Sequence, residues 1–254
     1  MCFDTDSRPP IAPIAGAAVT HEHLTLEAAD GNRFAAFLAS AEGAPSLAAM
    51  LILPDVRGLH RYYEELALRF AEAGIDALAI DYFGRTARSN ERGDGFDYMP
   101  HVSQTTWPGL RADIDAGGAR LRATGERALF SVGFCFGGRL ALLTPTLPEL
   151  AVAGAVGFYG PPVGPGRSGI PAPIDEVAAV RAPLLAIYGG ADPGIPPESV
   201  AAYEAALRTA GKDAEVVTMP GAPHSFFDRK QAEFAEASAD AWRRVLAFVA
   251  AHAT

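Results

Sequence analysis

The sequence is poor in cysteine, has no lysine-rich stretch and contains no long hydrophobic run. Its two cysteines, Cys2 and Cys135, lie far apart, so we expect no disulfide framework, and a reducing cytoplasm fits. No apolar window approaches the roughly 18 residues that a membrane-spanning helix needs. Residues 1–20 have neither the basic nor the apolar region of a secretion signal. We therefore expect a cytoplasmic protein that does not bind membranes.

The formal charge of −9 argues against nucleic acid as a partner, because such a surface needs clustered lysine and arginine. A length of 254 residues, with 49% hydrophobic and 20% charged residues, is typical of one globular core. We predict an N-terminal extension over residues 1–20 and a single domain over residues 21–254. A monomer or small homo-oligomer is expected.

Alternating apolar runs and helical periods follow an N-terminal β-hairpin, which Asp30-Gly31-Asn32 would turn. This order predicts an α/β fold, a mostly parallel sheet covered by helices on both faces. The carboxyl ends of its parallel strands would then share one edge, where ligands bind in such sheets. Predicted strands cover 22–28, 33–40, 48–53, 77–80, 127–132, 152–159, 184–188 and 215–219, and the last helix covers about 229–251.

A glycine-flanked cysteine stands between a predicted strand and a predicted helix, in the segment Gly133-Phe134-Cys135-Phe136-Gly137. Glycines on both sides let the backbone turn sharply, so the central side chain projects from the sheet edge as a nucleophile. The N-terminus of the following helix would favour the thiolate of Cys135. The alternative is that Cys135 is a small buried hydrophobe.

Two further polar residues follow later strands. Asp192 comes after the strand at 184–188, and His224 comes after the strand at 215–219. The chain order cysteine, aspartate, histidine matches the order nucleophile, acid, histidine of α/β-hydrolases. Alone, Asp192 could start a turn or cap a helix, and His224 could be a loop histidine. Their joint placement after three strands favours a catalytic site.

Five segments resemble the dienelactone hydrolase (carboxymethylenebutenolidase) family, and the similarity covers roughly residues 22–252. The resemblance implies the α/β-hydrolase fold and a Cys135-Asp192-His224 triad that hydrolyses small esters or lactones without metal or cofactor. In that mechanism the backbone N–H groups of Phe136 and Val56 bind the oxyanion. The segments are Leu53-Pro54-Asp55-Val56-Arg57-Gly58, Gly133-Phe134-Cys135-Phe136-Gly137-Gly138, Gly157-Phe158-Tyr159-Gly160, Tyr188-Gly189-Gly190-Ala191-Asp192 and Ala222-Pro223-His224-Ser225-Phe226.

Substrate-binding residues are only partly matched to the family. Asp55 stands where the family has a glutamate near the thiol, so it either gates the thiol or hydrogen-bonds its own loop. Arg85 matches one arginine of a carboxylate-binding pair, or is an exposed loop arginine. Asp228 occupies the place of the second, which disfavours a substrate carboxylate there. Tyr159 either matches a tyrosine of the family that lines the site, or is a strand-end residue that only packs against its neighbours.

Two further features of the sequence have a functional and a simpler interpretation. His21 and His23 have the spacing of metal ligands but no third ligand in view, so we expect them on a strand surface. Residues 85–100 form a long loop that could act as a lid. Two functions compete with ester hydrolysis: a thiol peroxidase or redox sensor that uses Cys135, and a non-catalytic ligand-binding protein on a hydrolase scaffold.

Overall fold

The computed structural model describes residues 3–42, 48–123 and 125–253, with the side chain of Ser168 left aside. Cys2 lies outside the described residues. The strands are β1 (Val19–Glu27), β2 (Arg33–Ala41), β3 (Ala48–Leu53), β4 (Asp76–Ile80), β5 (Ala128–Phe134), β6 (Gly154–Phe158), β7 (Leu184–Gly189) and β8 (Ala214–Met219). The helices are α1 (Arg61–Glu72), α2 (Met99–Val102), α3 (Trp107–Arg122), α4 (Phe136–Leu143), α5 (Pro197–Thr209) and α6 (Ala235–His252).

The strands form one eight-stranded sheet in the order β1-β2-β4-β3-β5-β6-β7-β8. β1 pairs with β2 and β2 with β4 antiparallel, and every later pairing is parallel. The predicted α/β-hydrolase fold, with its N-terminal hairpin and mostly parallel sheet, is therefore confirmed. β5 lies in the interior of the sheet, so the segment after it emerges near the middle of the carboxyl edge.

Alternate residues of the central strands face two hydrophobic layers. In β3, Met50 and Ile52 belong to the layer that α1 and α6 cover, whereas Leu51 and Leu53 belong to the layer that α3 and α4 cover. Both sets are fully buried, which explains why this strand is an unbroken apolar run. Within the described part of the chain, no helix combines the length and the apolar character that crossing a bilayer requires.

The last helix begins later than its sequence pattern suggests. The pattern places its start near Arg229, but α6 starts at Ala235 after a single 3₁₀ turn. The backbone N–H of Arg229 donates to the carbonyl of Arg8 at 2.9 Å, so this residue belongs to a contact with the N-terminal segment. A tertiary contact of this kind leaves no trace in local periodicity.

The predicted loop and possible lid, residues 85–100, is held in place through Arg92. Arg92 is buried and forms a bidentate pair with Asp81, with Nε–Oδ1 and Nη2–Oδ2 distances of 3.0 and 2.8 Å. Its guanidinium also lies 4.4 Å from the ring centroid of Phe96. The short helix α2 starts inside the predicted loop, at Met99.

Candidate active site

The segment after β5 is a sharp elbow. Cys135 has φ 55° and ψ −110°, a conformation that costs energy in any residue with a Cβ, and it stands directly before α4. Its N–H donates to the carbonyl of Phe158 at 3.0 Å, and its carbonyl accepts from the N–H of Arg139 at 3.1 Å. These bonds hold the strained cysteine between β6 and the first turn of α4.

Glycine is required on both sides of the elbow because backbones touch there. A Cβ on Gly133 would lie 1.9 Å from the carbonyl oxygen of Gly137, and one on Gly137 would lie 2.0 Å from that of Leu53. The first turn of α4 therefore rests directly on the end of β3. The glycine spacing seen in the sequence has this steric cause.

An aspartate and a histidine meet at the ends of β7 and β8. The Nδ1 atom of His224 lies 2.6 Å from Oδ2 of Asp192, and Oδ1 of the same carboxylate accepts from the N–H of Gly194 at 2.8 Å. Burial acts to raise the pKa of Asp192, but the hydrogen bond and charge of His224 outweigh it and hold that pKa below its usual value. The carboxyl side chain is 1% exposed and the imidazole 16%.

Tyr159 connects the elbow to the histidine. It follows β6 with φ 38° and is fully buried. Its ring centroid lies 4.9 Å from that of His224 and 6.2 Å from that of Phe134, which immediately precedes the cysteine. The sequence prediction left open whether Tyr159 lines the site or packs, and here it packs against the imidazole.

A cavity of about 400 Å³ opens at the elbow. Its wall includes the cysteine and both residues predicted to bind an oxyanion, Val56 and Phe136. Within the described chain, the residues lining this cavity do not include His224, Asp55, Arg85 or Tyr159. The rest of the wall combines apolar side chains with three arginines: Tyr98, Met99, Pro161, Val163, Pro165, Gly166 and Ile170, with Arg57, Arg139 and Arg167.

Arg139 is a residue of the cavity that the sequence prediction missed. Its guanidinium donates to five backbone carbonyls of the proline- and glycine-rich segment that forms one side of the cavity, namely those of Pro161, Val163, Gly164, Ile170 and Pro171. Burial lowers the pKa of this arginine. An arginine in the otherwise apolar helix that follows the elbow was the available indication.

Asp55 is fully buried and holds its own loop. Its Oδ1 accepts from the N–H of Arg57 at 2.7 Å, its Oδ2 accepts from the N–H of Phe3 at 3.2 Å, and its own N–H donates to the hydroxyl of Tyr63 at 2.8 Å. The carboxylate thus closes a turn around Val56. Of the two predicted roles for Asp55, this geometry matches the loop-holding one.

The two other charged residues considered for substrate binding are paired elsewhere. Arg85 contacts Asp113 through Nη1 at 2.5 Å and Asp30 through Nη2 at 2.6 Å. Asp228 is 6% exposed, and its Oδ1 accepts from the N–H groups of Arg8 and Lys230. The structure therefore brings neither side chain to the cavity at Cys135, whose described lining contains the cations of Arg57, Arg139 and Arg167.

The predicted strand-surface position of the two histidines agrees with the structure. His21 and His23 lie on β1, and their ring centroids are 5.5 and 5.0 Å from that of Phe37 on the neighbouring strand. The Nδ1 atom of His23 also lies 3.8 Å from Oε1 of Glu64. Both imidazoles are exposed.

Comparison with known proteins identifies relatives that share both sequence and fold. Residues 34–253 match the model of the dienelactone hydrolase family. A Methylorubrum extorquens protein named "Putative carboxymethylenebutenolidase" is 32% identical over 211 residues, which cover 81% of this chain and 72% of the relative. A Salmonella typhimurium protein of the same name is 32% identical, with 81% and 77% covered.

Solved structures agree with these relatives. The crystal structure of a "Putative Dienelactone Hydrolase" from Klebsiella pneumoniae subsp. pneumoniae superposes with a TM-score of 0.80 at 29% identity, covering 92% of this chain and 99% of that one. A brefeldin A esterase, 17% identical, has the same fold with a TM-score of 0.69, covering 96% and 80%. This chain belongs to the dienelactone hydrolase family, whose members hydrolyse lactones and esters.

Proposed function

We propose that the protein hydrolyses small esters or lactones with Cys135 as nucleophile, His224 as general base and Asp192 as the residue that orients the histidine. The observation that carries this proposal is the 2.6 Å contact between His224 and a buried carboxylate, at the same sheet edge as a strained cysteine. A cysteine that is merely a small hydrophobe needs no such conformation. The family membership supports the same reaction class.

The steps follow from these positions. Asp192 fixes the imidazole with Nδ1 protonated and stabilises the positive charge that forms on it. The imidazole takes the thiol proton, and the sulfur attacks the carbonyl carbon to form a C–S bond. The N–H groups of Phe136 and Val56, both on the cavity wall, stabilise the oxyanion. The alcohol leaves with the proton from His224 as the C–O bond breaks. A water molecule, deprotonated by His224, then attacks the thioester carbon, and the C–S bond breaks to release the acid while His224 returns the proton to the sulfur.

The cavity favours a small substrate with one apolar side. Tyr98, Met99 and Ile170 offer hydrophobic surface, while Arg57 and Arg167 offer positive charge at the same wall. We propose that Tyr159 positions His224, and that Asp55 shapes the turn of Val56 rather than gating the thiol. Arg85 is bound by two carboxylates, so we assign it no contact with substrate.

Two cysteines in 254 residues favour a reducing compartment, so we place the protein in the cytoplasm. We expect a monomer or small homo-oligomer. We expect no nucleic acid partner, because the formal charge is −9.

The decisive experiment measures turnover of a panel of p-nitrophenyl esters and lactones, dienelactones included, by wild type, Cys135→Ser and Cys135→Ala. We expect both variants to lose at least about 10³-fold in kcat, because removing a nucleophile abolishes the covalent route. Cys2→Ser is the matched control and should keep full activity. Mass spectrometry of a quenched reaction should find the acyl group on the peptide that contains Cys135.

Full activity in Cys135→Ala would overturn the proposal. Turnover of peroxide with a thiol donor, in the absence of any ester turnover, would support the redox alternative. Ligand binding without any acyl-enzyme would support a non-catalytic binding protein.

A further inference from the structure

The N-terminal segment packs into the core beneath the elbow. Phe3 is 2% exposed, although it stands among charged and polar residues. Its ring stacks on Tyr62 with a centroid distance of 3.9 Å and an interplanar angle of 19°. It also lies 5.9 Å from the ring of Phe134 and 6.3 Å from that of Tyr159. One aromatic side chain thus contacts the residue before the nucleophile and the residue against the histidine.

The backbone of the same residue binds the loop that carries Val56. The N–H of Phe3 donates to Oδ2 of Asp55, and the other oxygen of that carboxylate accepts from the N–H of Arg57. Asp55 is fully buried, so its two oxygens depend on such donors. The turn that presents the N–H of Val56 is therefore held partly by Phe3, a residue distant from that turn in the sequence.

Further along, the segment binds the loop that follows His224. The N–H of Arg8 donates to Oδ1 of Asp228 at 3.3 Å, and the N–H of Arg229 donates back to the carbonyl of Arg8 at 2.9 Å. The guanidinium of Arg229 reaches the carbonyl of Pro9 at 3.3 Å. These bonds fix the chain four and five residues after the histidine.

The ring beneath Phe3 provides a second link between the N-terminal segment and the loop that follows His224. Tyr62 stacks on Phe3, and its hydroxyl donates to the carbonyl of Phe227 at 2.5 Å. Phe227 lies three residues after His224. Loss of the Phe3 ring would remove the ring that stacks on Tyr62.

We propose that residues 3–9 are a strap that sets the position of the Val56 turn relative to the His224 loop, and that Phe3 is its positioning residue. This inference rests on the proposed function, because it assigns Val56 to the oxyanion and His224 to proton transfer. Phe3 is absent from the described lining of the cavity, so it acts on the catalytic geometry and not on substrate binding. A displacement of about 1 Å at a catalytic group can cost about 10²-fold in rate.

The test compares Phe3→Ala and Phe3→Leu in a Cys2→Ser background, where Cys135 is the sole remaining thiol. Ile14→Ala is the matched control, because Ile14 lies in the same N-terminal region with a side chain that is 52% exposed. Each variant is assayed for kcat and KM on one p-nitrophenyl ester. The rate is divided by the amount of reactive Cys135 in folded protein, which is the amount that iodoacetamide modifies multiplied by the folded fraction at the assay temperature, so that unfolded molecules are not counted. Thermal unfolding is recorded in parallel.

We expect Phe3→Ala to lower kcat per reactive thiol by about 10- to 100-fold, with KM unchanged within about twofold. Phe3→Leu, which keeps most of the volume, should recover much of that loss even if Phe3→Ala folds poorly. A kcat per reactive thiol equal to that of Ile14→Ala in both variants would overturn the proposal, whatever their melting temperatures. If wild-type turnover does not depend on Cys135, it is instead the proposed function that fails.

Discussion

The Nδ1 atom of His224 lies 2.6 Å from Oδ2 of Asp192, which stands 32 residues earlier in the chain. The carboxylate has a second, backbone donor in Gly194 and is almost completely buried. Its position is therefore fixed independently of the imidazole. We expect Asp192→Asn to keep the geometry but to favour the wrong tautomer of the histidine, and so to lower kcat by about 10³- to 10⁴-fold.

The measurement for Asp192→Asn is steady-state hydrolysis of a p-nitrophenyl ester, with Asp213→Asn as the control. Asp213 is exposed and lies just before β8, so its change should leave kcat within about twofold. Equal activity in the two variants would contradict the role of Asp192.

A methyl group on Gly133 should destabilise the fold. Its Cβ would stand 1.9 Å from the carbonyl oxygen of Gly137, and backbone cannot move aside as a side chain can. We expect Gly133→Ala to lower the free energy of unfolding by about 3 kcal/mol, the upper end for overpacked sites. Gly93→Ala, where a Cβ meets open space, should change it by less than about 1 kcal/mol in urea denaturation.

Arg139→Lys should loosen one side of the cavity. A single ammonium has three donors and cannot reach the five carbonyls that the planar guanidinium serves. We expect a loss of about 2–4 kcal/mol in stability and faster proteolysis between residues 161 and 171. Arg120→Lys, which alters a partly exposed pair with Glu22, is the control and should show neither effect.

Arg57 should determine the charge preference of the substrate. It lies on the cavity wall beside Val56, with its guanidinium 5.0 Å from the ring centroid of Tyr98. We expect Arg57→Ala to raise KM about tenfold for an ester whose acyl group carries a carboxylate, and about twofold or less for its neutral isostere. Arg88→Ala, at an exposed loop position, should affect the two esters equally. An equal change of KM for both esters in Arg57→Ala would contradict this assignment.

Asp113 should make stability depend on pH. Burial raises the pKa of this carboxyl to about 6, although hydrogen bonds from Asn32 and Arg85 act to lower it. The folded protein therefore binds the proton more tightly than the unfolded chain, whose aspartate titrates near 3.8. The contribution is fully present below pH 3.8 and is lost as the pH rises through 6. We expect the melting temperature of Asp113→Asn, relative to wild type, to increase between pH 4.5 and 7; parallel curves would refute this.

Local patterns located most of the fold but not its long-range contacts. Strands such as β3 were recognisable because burial on both faces leaves an unbroken apolar run. The order of strands and the pair between Arg85 and Asp113 depend on where distant segments meet, so no local pattern encodes them. Phe3 was missed for the same reason, since one aromatic residue in a charged stretch has no period.

The candidate site also has residues that local patterns identify and residues that they do not. Cys135, Asp192 and His224 could be proposed because each follows a strand, and the carboxyl ends of parallel strands meet at one edge. The side of the cavity formed by residues 161–171 could not, because it is an irregular segment that Arg139 holds through backbone carbonyls. Sequence gives no register for such a segment, whose hydrogen bonds depend on the fold around it.

The contact of Gly137 with the carbonyl of Leu53 joins main chain to main chain. The separation between the end of β3 and the first turn of α4 is thus set by main chain rather than by side chains. Mutations that accumulate in the segment from Pro161 to Pro171, or at Tyr98 and Met99, can reshape the cavity without changing this contact. Directed evolution of substrate range should therefore find its accepted changes in that wall, while the elbow stays constant.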